Sequence, residues 1–305
     1  MAYQTGVTTT LSDLIATVVA FGKQNGFTEG PKGTYTGTAV TGSSRTFNYS
    51  SLQKNGVFNI FFIPTTGTMD LFIHTATSLS GNVWAGASAY PQKVSGLVGP
   101  HVGYHLFCDG LCLNVAVEIV TGVFVHFNFG EIVKNGDWVG GQFVTGLART
   151  SDTSTDFVIT ASTISLPFEF GAIGSNKQQY SICGHIRTPL NGGGTANLNA
   201  ATSGGSSAWF TGLASNCGRI LVDRSPNQAN GRAVLVPFNL VQASSGNQGP
   251  YYQLGYVSNA CAVNIANLNP KETVNSDWMV FPICQKNGPA TNYINSQNYG
   301  LAYKK

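Results

Sequence analysis

Two closely spaced cysteines are the first residues in this chain whose type and spacing could carry chemistry. Cys108 and Cys112 are separated by three residues, among them Asp109 and Gly110. Zinc sites and redox pairs use C-x-x-C, and no second pair with ligand spacing accompanies this one. Six cysteines without a recognisable secretory signal indicate buried thiols and not a disulfide framework. They are Cys108, Cys112, Cys183, Cys217, Cys261 and Cys284.

Three histidines form the next candidate group. His101 and His105 are four residues apart, which would place them on one face only in a helix. Pro100 and Gly103 argue against a helix there. His126 could approach both through neighbouring strands. We favour scattered polar histidines over a metal site, so the sequence assigns no metal and no cofactor.

Carboxylates could perform glycoside hydrolysis if two of them stood about 5 to 10 Å apart. Asp109 is already explained by a turn, and Glu118 by a solvent-facing strand position. No G-x-S-x-G nucleophile motif is present. We therefore predict that the chain is not an enzyme. The carboxylates considered are Asp109, Glu118, Glu131, Asp137 and Glu169.

Tryptophans are the candidates for surface recognition. Trp138 in "NGDWVGG" and Trp209 in "GGSSAWFTG" lie in glycine-rich segments that are typical of outward-facing loops. Trp84 is a further candidate for stacking on sugar rings, whereas Trp278 in its apolar run is predicted to be core. For Trp138 and Trp209, ligand binding and packing both stay open.

One helix is predicted near the start of the chain. Thr10 and Asp13 have the spacing of a capping box, and Gly22 or Gly26 can end the helix. Its narrow apolar stripe must dock either on the chain's own sheet or on a neighbouring subunit. The stripe is therefore also a candidate interface. Its members are Leu11, Leu14, Ile15, Val18 and Val19.

From residue 33 onward the apolar pattern has the period of a strand. Residues 56–63 and 68–75 predict a hairpin, and residues 104–133 predict a three-stranded meander. Its two turns are assigned to Asp109-Gly110 and Thr121-Gly122. In its third strand His126 falls on the face with Phe124 and Asn128, which we predict to be the wetter one. Further strands are indicated by "FVITAS", "YSICGHIR", "GRILVDR", "RAVLVPFNLV", "YYQLGYV" and "DWMVFPIC".

These patterns predict a mainly β fold, an antiparallel sandwich or barrel-like architecture with one short N-terminal helix. We divide the chain into an N-terminal helical segment (1–30) and a β domain (31–150). Residues 151–305 form either a second β domain or a continuation of the same sheet system. Residues 188–207 are glycine-rich and almost free of apolar residues, so they are predicted to be an exposed loop.

Charge is sparse over the whole chain. Charged residues make up 10% of the 305, with 16 basic and 13 acidic, against about 25% in average proteins. A net charge of +3 without basic runs argues against a nucleic-acid partner. No apolar run approaches 18 residues, which argues against a membrane span, and we expect a protein made in the cytoplasm that stays soluble there. An uncharged polar surface suits permanent assembly.

Three stretches together resemble a group of virion structural proteins of tailed bacteriophages. They are "MAYQTGVTTTLSDLIATVVAFGKQNGFT", "YHLFCDGLCLNVAVEIVTGVFVHFNFGEIVKNGDWVGGQF", and the closing "DWMVFPICQKNG" with "NYGLAYKK". The likeness covers roughly a third of the chain and carries no active-site residues.

The resemblance implies a homo-oligomeric part of a virion, made in the host cytoplasm, with a tail or baseplate position as the first choice. A receptor-binding or fibre-type module that contacts host surface carbohydrate is the alternative, and capsid decoration is the third. The implied partners are other copies of the chain and other virion proteins.

Overall fold

The structure is a computed structural model, and it describes most of the N-terminal half of the chain and parts of the rest. The described residues are 1–38, 40, 44–66, 70–80, 83–86, 91–146, 148–149, 164–165, 167–168, 184–187, 195–197, 208–211, 233–243, 251–286 and 299–305. Two predicted strands, "FVITAS" and "GRILVDR", lie outside them.

The fold is mainly β and antiparallel with one helix in the described residues, which confirms the predicted fold class as a sandwich rather than a closed barrel. The elements in chain order are β1 Ala2–Thr8, α1 Leu11–Gln24, β2 Thr28–Glu29, β3 Gly33–Gly37, β4 Arg45–Lys54, β5 Val57–Pro64, β6 Leu71–Ala76, β7 Ser78–Ser80, β8 Val83–Ala85, β9 Gln92–Val94, β10 His101–Cys108, β11 Cys112–Val120, β12 Val123–Glu131, β13 Val133–Lys134, β14 Gln142–Gly146, β15 Ala148–Arg149, β16 Ile164–Ser165, β17 Gly184–Arg187, β18 Thr195–Asn197, β19 Ala208–Thr211, β20 Leu235–Ala243, β21 Tyr251–Asn264, β22 Thr273–Val274, β23 Trp278–Pro282 and β24 Tyr299–Lys304.

The central sheet runs in the order β1-β10-β11-β12-β14-β17-β18. The predicted meander is its middle, with β10, β11 and β12 in antiparallel register. All nine residues of β12 are buried. Since successive side chains of a strand point to opposite faces, both faces of this sheet must be covered.

One face of the central sheet is covered by α1 and by a second sheet. This hairpin sheet has the order β2-β4-β5-β6-β9, with β3 also paired to β4, and it contains the predicted hairpin as β5 and β6. Phe129 of the central sheet lies with its ring centroid 5.1 Å from that of Phe61 and 5.8 Å from that of Phe27. A Cβ added to Gly22 would come within 2.7 Å of Leu52, so the helix needs glycine to approach this closely.

The opposite face is covered by a third sheet, which we call the C-terminal sheet. Its order is β19-β20-β21-β24-β23-β22, with β13 paired to β21. Phe281 of β23 contacts Phe107 and Phe124, at 5.9 and 5.4 Å between ring centroids. The predicted late strand "DWMVFPIC" thus closes the core as β23. The molecule is a sandwich of three layers, with the meander in the middle one.

Of the two alternatives for residues 151–305, the pairing of β14 with β17 favours a continuation of the same sheet system, because the central sheet extends across residue 150. Residues 1–30 are not a separate helical segment, because β1 is a strand of the central sheet and α1 packs on it. Of the predicted loop at 188–207, the described residues 195–197 form β18, and the others lie outside the described part.

The turn between β10 and β11 is shifted by one residue from its predicted place. Gly110 and Leu111 occupy its centre, and the Asp109 N–H donates to the Cys112 carbonyl at 3.4 Å. Gly110 has φ +87°, which glycine adopts without strain. The Asp109 carboxylate accepts from the backbone N–H groups of Leu111 (2.9 Å) and Cys112 (2.7 Å), so it holds the turn from outside.

Candidate functional site

The apolar stripe of α1 packs inside the chain. All five of its predicted members are buried in the main core. Thr10 is the N-cap, since its side chain accepts from the Asp13 N–H at 3.1 Å, which is one of the two bonds of the predicted capping box; the Asp13 carboxylate accepts from the Thr10 hydroxyl at 2.8 Å. The helix ends at Gln24, before Gly26 with φ +90°. The stripe as a candidate interface between subunits is therefore wrong for this fold. The buried members are Leu11, Leu14, Ile15, Val18 and Val19.

His126 is buried completely, so its prediction as a residue of the wetter face is wrong. The C-terminal sheet covers that face. The His126 Nε2–H donates to the Pro282 carbonyl at 2.9 Å, and Nδ1 then accepts from the Tyr303 hydroxyl at 3.2 Å. Burial lowers the pKa of His126 to about 4. The imidazole is thus neutral near pH 7 and both ring nitrogens are occupied.

His105 lies two strands away on the same face. Its Nδ1 is 2.9 Å from the Tyr3 hydroxyl, and its ring packs 5.2 Å from that of Phe281. Burial, together with the nearby charge of Lys271, lowers the pKa of His105 to about 4. His101 bonds separately to Thr8 at 2.8 Å. In the described part of the chain, no three His, Cys, Asp or Glu side chains form a group that could hold a metal ion.

Two asparagine side chains and the Cys112 thiol lie with these histidines between the central and the C-terminal sheet. The Asn114 amide donates to the Asn259 carbonyl at 3.3 Å, and the Asn259 amide donates to the Cys112 carbonyl at 3.1 Å. The Cys112 thiol donates to the Asn114 side-chain oxygen at 3.4 Å. Burial raises the pKa of Cys112 well above its usual value and that of Cys108 to about 11. Both are free thiols, so neither is a reactive thiolate at neutral pH.

Glu118 is buried, which corrects its prediction as a solvent-facing residue. Its carboxylate pairs with the Lys271 ammonium at 2.9 Å and accepts from the Gly122 N–H at 2.8 Å. Glu131 similarly pairs with Lys134 at 3.2 Å. Each of these carboxylates therefore holds a turn or a strand end, while Glu169 lies outside the described residues.

The loop after β13 presents Trp138 at the surface but anchors its ring. The indole N–H donates to the Leu254 carbonyl at 3.1 Å, which also accepts from the Asn135 N–H at 2.8 Å. The register of β21 against β20 shifts next to Leu254, a bulge that turns this carbonyl out of the ladder. The Lys134 ammonium lies 5.7 Å from the ring centroid of Trp138. Trp138 is half-buried as a result.

The other tryptophans differ in their surroundings. The backbone of Trp209 lies in the edge strand β19 and not in a loop. Trp84 is half-buried against Tyr35, at 4.8 Å between ring centroids. Trp278 begins β23 and is half-buried, with the Lys304 ammonium 5.9 Å from its ring, so it borders a small core cluster rather than the main core.

β1, which the sequence analysis did not predict, is an edge strand of the central sheet as far as the structure describes it. Among the described strands, it pairs only with β10. Both of its faces are anchored, because Tyr3 packs on Phe107 at 5.0 Å and the Gln4 amide donates to the Tyr104 hydroxyl at 3.1 Å. Val7 at its far end is 73% exposed.

Comparison with known proteins identifies no relative. No protein-family model matches the chain, and no curated protein has a significantly similar sequence. Among the described residues, no helix has the length and apolar character needed to cross a membrane.

Proposed function

We propose that the chain is a homo-oligomeric structural subunit of a tailed-phage virion, placed in the tail or baseplate. The resemblance of three stretches to virion proteins supports the class. The observation in the structure that carries the proposal is the use made of the few charges. Most described carboxylates have partners within the chain: five form ion pairs, Asp13 accepts from the Thr9 and Thr10 hydroxyls at the start of the helix, and Asp109 holds a turn. The ion pairs are Lys23–Glu29, Lys93–Asp70, Lys134–Glu131, Lys271–Glu118 and Lys304–Asp277.

Such pairing leaves little free charge to keep separate copies apart. Proteins that work as dispersed monomers generally carry mixed surface charge, and a surface without it favours contact between copies. Several valines are exposed by about half or more of their surface, which is ordinary for each one alone. Together with scarce charge they favour assembly. They are Val7, Val83, Val98, Val102, Val120 and Val139.

A role without catalytic turnover is part of this proposal. Two described groups that could act as base or nucleophile have other partners: His126 bonds to Pro282 and Tyr303, and Cys112 bonds to Asn114. Their shifted pKa values follow from burial away from solvent. A buried neutral histidine between two sheets stabilises packing, which supports a structural part.

Localisation tests the proposal directly. Particles made by the genome that encodes this chain are purified on a density gradient and analysed by mass spectrometry and by electron microscopy with a labelled antibody. We expect the chain in particles at a fixed copy number, with label at the tail or baseplate. A chain found only in the soluble fraction of lysed cells would contradict the virion assignment.

Host-surface recognition is the second candidate function, and the anchored Trp138 loop favours it. The bulge at Leu254 fixes the ring, and a fixed, half-exposed aromatic ring loses little entropy when a sugar stacks on it. Val139 beside it is 72% exposed. A Val139→Arg variant should reduce adsorption of particles to host cells, while Val83→Arg, at an equally exposed position elsewhere, should not. Equal adsorption of both variants would argue against recognition by this loop.

A further inference from the structure

The outer edge of β1 is an open row of backbone hydrogen-bonding groups. In an antiparallel ladder, alternate residues turn their N–H and C=O groups away from the paired strand. β1 has seven residues, and of the strands that the structure describes it pairs only with β10. Among the described residues, no other backbone group bonds to the outer edge of β1. This edge can therefore accept a further strand.

The edge lacks most of the features that keep other edges from pairing. Natural edge strands are protected by charged side chains, proline, short length or β-bulges. "AYQTGVT" contains no charged residue and no proline, and its one irregularity is a register shift against β10 between Gly6 and Thr8, near the end of the strand. The other edge strands of the three large sheets have two to five residues. β1 is therefore the longest open edge that the structure describes.

We propose that β1 pairs antiparallel with β1 of a second copy of the chain, which joins two central sheets across a two-fold axis. This inference rests on the proposed homo-oligomeric function and names the surface that performs it. When two identical strands pair, any charged side chain lies near the same charge of the second copy. A strand without charged residues avoids this repulsion, so it is suited to pair with its own copy. With the axis at Thr5, the exposed Val7 of each copy, which lies at the register shift between Gly6 and Thr8, comes opposite Tyr3 of the other. Aromatic and β-branched residues form favourable cross-strand pairs.

The rigidity of β1 favours this pairing. Tyr3 and Gln4 hold the strand from its two faces, and Tyr3 also lies under the Lys305 ammonium at 5.8 Å. A strand that is already fixed loses little conformational entropy when a second strand docks on it. The second copy would add its strand to a sheet edge whose backbone N–H and C=O groups are already oriented for pairing.

Sedimentation of lysine variants tests the proposal. Thr5→Lys places two like charges opposite each other at the axis, and Val7→Lys places one in each outer pair. Both side chains are exposed, so the monomer should fold. We expect the parent chain to form dimers or larger even-numbered assemblies, and each variant to raise the dissociation constant by at least about tenfold. Thr36→Lys in the edge strand β3 is the matched control and should leave assembly unchanged.

Cross-linking provides a second readout. Thr5→Cys should form a disulfide-linked dimer on mild oxidation, because residue 5 faces itself across the axis. Thr36→Cys should not, and the parent chain gives the background from its own cysteines. Assembly that survives Thr5→Lys and Val7→Lys would overturn the pairing of β1 and leave the homo-oligomeric function standing. A parent chain that is monomeric in solution yet present in particles would also overturn the pairing, while a monomer absent from particles would overturn the virion function itself.

Discussion

The two faces of the central sheet are equally buried but chemically different. Towards α1 and the hairpin sheet, residues such as Val115, Phe127 and Phe129 form an apolar contact. Towards the C-terminal sheet, the same strands present His126 and Asn114, which are also fully buried. Polar residues on one side of a strand thus need not face solvent, because a second sheet can supply their hydrogen bonds.

The difference has an energetic meaning. An apolar face tolerates any neighbour of suitable volume, whereas each buried polar group needs its own partner or costs about 1–3 kcal/mol. His126 finds its partners 156 and 177 residues away along the chain. We infer that the apolar face supplies most of the stability and that the polar face specifies how the C-terminal sheet docks.

The largest expected effect comes from the apolar face. Phe129→Ala removes a fully buried ring that contacts Phe27 and Phe61, so the free energy of unfolding should fall by about 3–5 kcal/mol. Urea denaturation followed by tryptophan fluorescence measures it. Val83→Ala, at an exposed position, is the control and should change the value by less than about 0.5 kcal/mol. A loss below about 1 kcal/mol for Phe129→Ala would contradict the packing described for this face.

Low pH should destabilise the packing of the C-terminal sheet on the face of the central sheet that carries His126. The pKa of His126 is about 4 in the folded chain, against about 6.5 for an unperturbed histidine. Between these values the unfolded state binds more protons, so the stability is complete above about pH 6.5 and falls as the pH drops towards 4. The contribution of His126 is about 3 kcal/mol at most.

Urea denaturation at several pH values measures this loss. Carboxylates and His105 contribute to the same fall, and a His126→Gln variant, which does not titrate, separates their effect. The variant should lose less stability than the parent between pH 7 and pH 4.5. Identical pH dependence in both proteins would show that His126 is not buried as neutral imidazole.

The two cysteines that flank the turn between β10 and β11 lie on opposite faces of the central sheet. Cys112 lies on the polar face and donates to Asn114, whereas the Cys108 thiol donates to the Asn25 carbonyl at the end of α1. Replacement of either by Ala should cost about 1–2 kcal/mol by loss of packing. Both thiols should resist alkylation at pH 7.5 until the chain unfolds, since burial raises both pKa values. Rapid labelling of the native chain would speak against the burial of these thiols.

The smallest effect is expected where polar groups meet solvent. The Lys304–Asp277 pair at 3.3 Å is partly exposed, and such pairs contribute little. Asp277→Asn should change the free energy of unfolding by less than about 0.5 kcal/mol. A thermal or urea denaturation curve measures this change in the free energy of unfolding. A larger loss would contradict the expectation that an exposed ion pair contributes less than a buried one.

Local signals predicted the helix and the meander well. Thr10 and Asp13 gave the start of α1, and the alternation from Val123 to Phe129 gave the two faces of β12. Alternation states which residues share a face, but not what covers it, so His126 and Glu118 were assigned to solvent. Their partners come from remote segments that no local pattern connects to them.

Two other features had weak or misleading signals. β1 alternates Tyr3, Thr5 and Val7 with small or polar residues, and its glycine weakens the pattern of a strand. Trp138 has the composition of an outward loop, yet the Leu254 carbonyl, 116 residues away, holds its ring. In both cases the local structure depends on hydrogen bonds to backbone groups that are far away in the sequence.

The position of β24 determines when the C-terminal sheet can be completed during synthesis. β24 follows both β21 and β23 in the sequence, but it lies between them in the C-terminal sheet. During synthesis the ribosome releases it after both neighbours, so β21 and β23 are not joined, and the polar face of the meander is covered only in part, until then. His126 receives its bond from Tyr303 only at that moment. A nascent chain stalled before residue 299 should therefore be more sensitive to protease than a chain that contains β24, in which this strand joins β21 to β23.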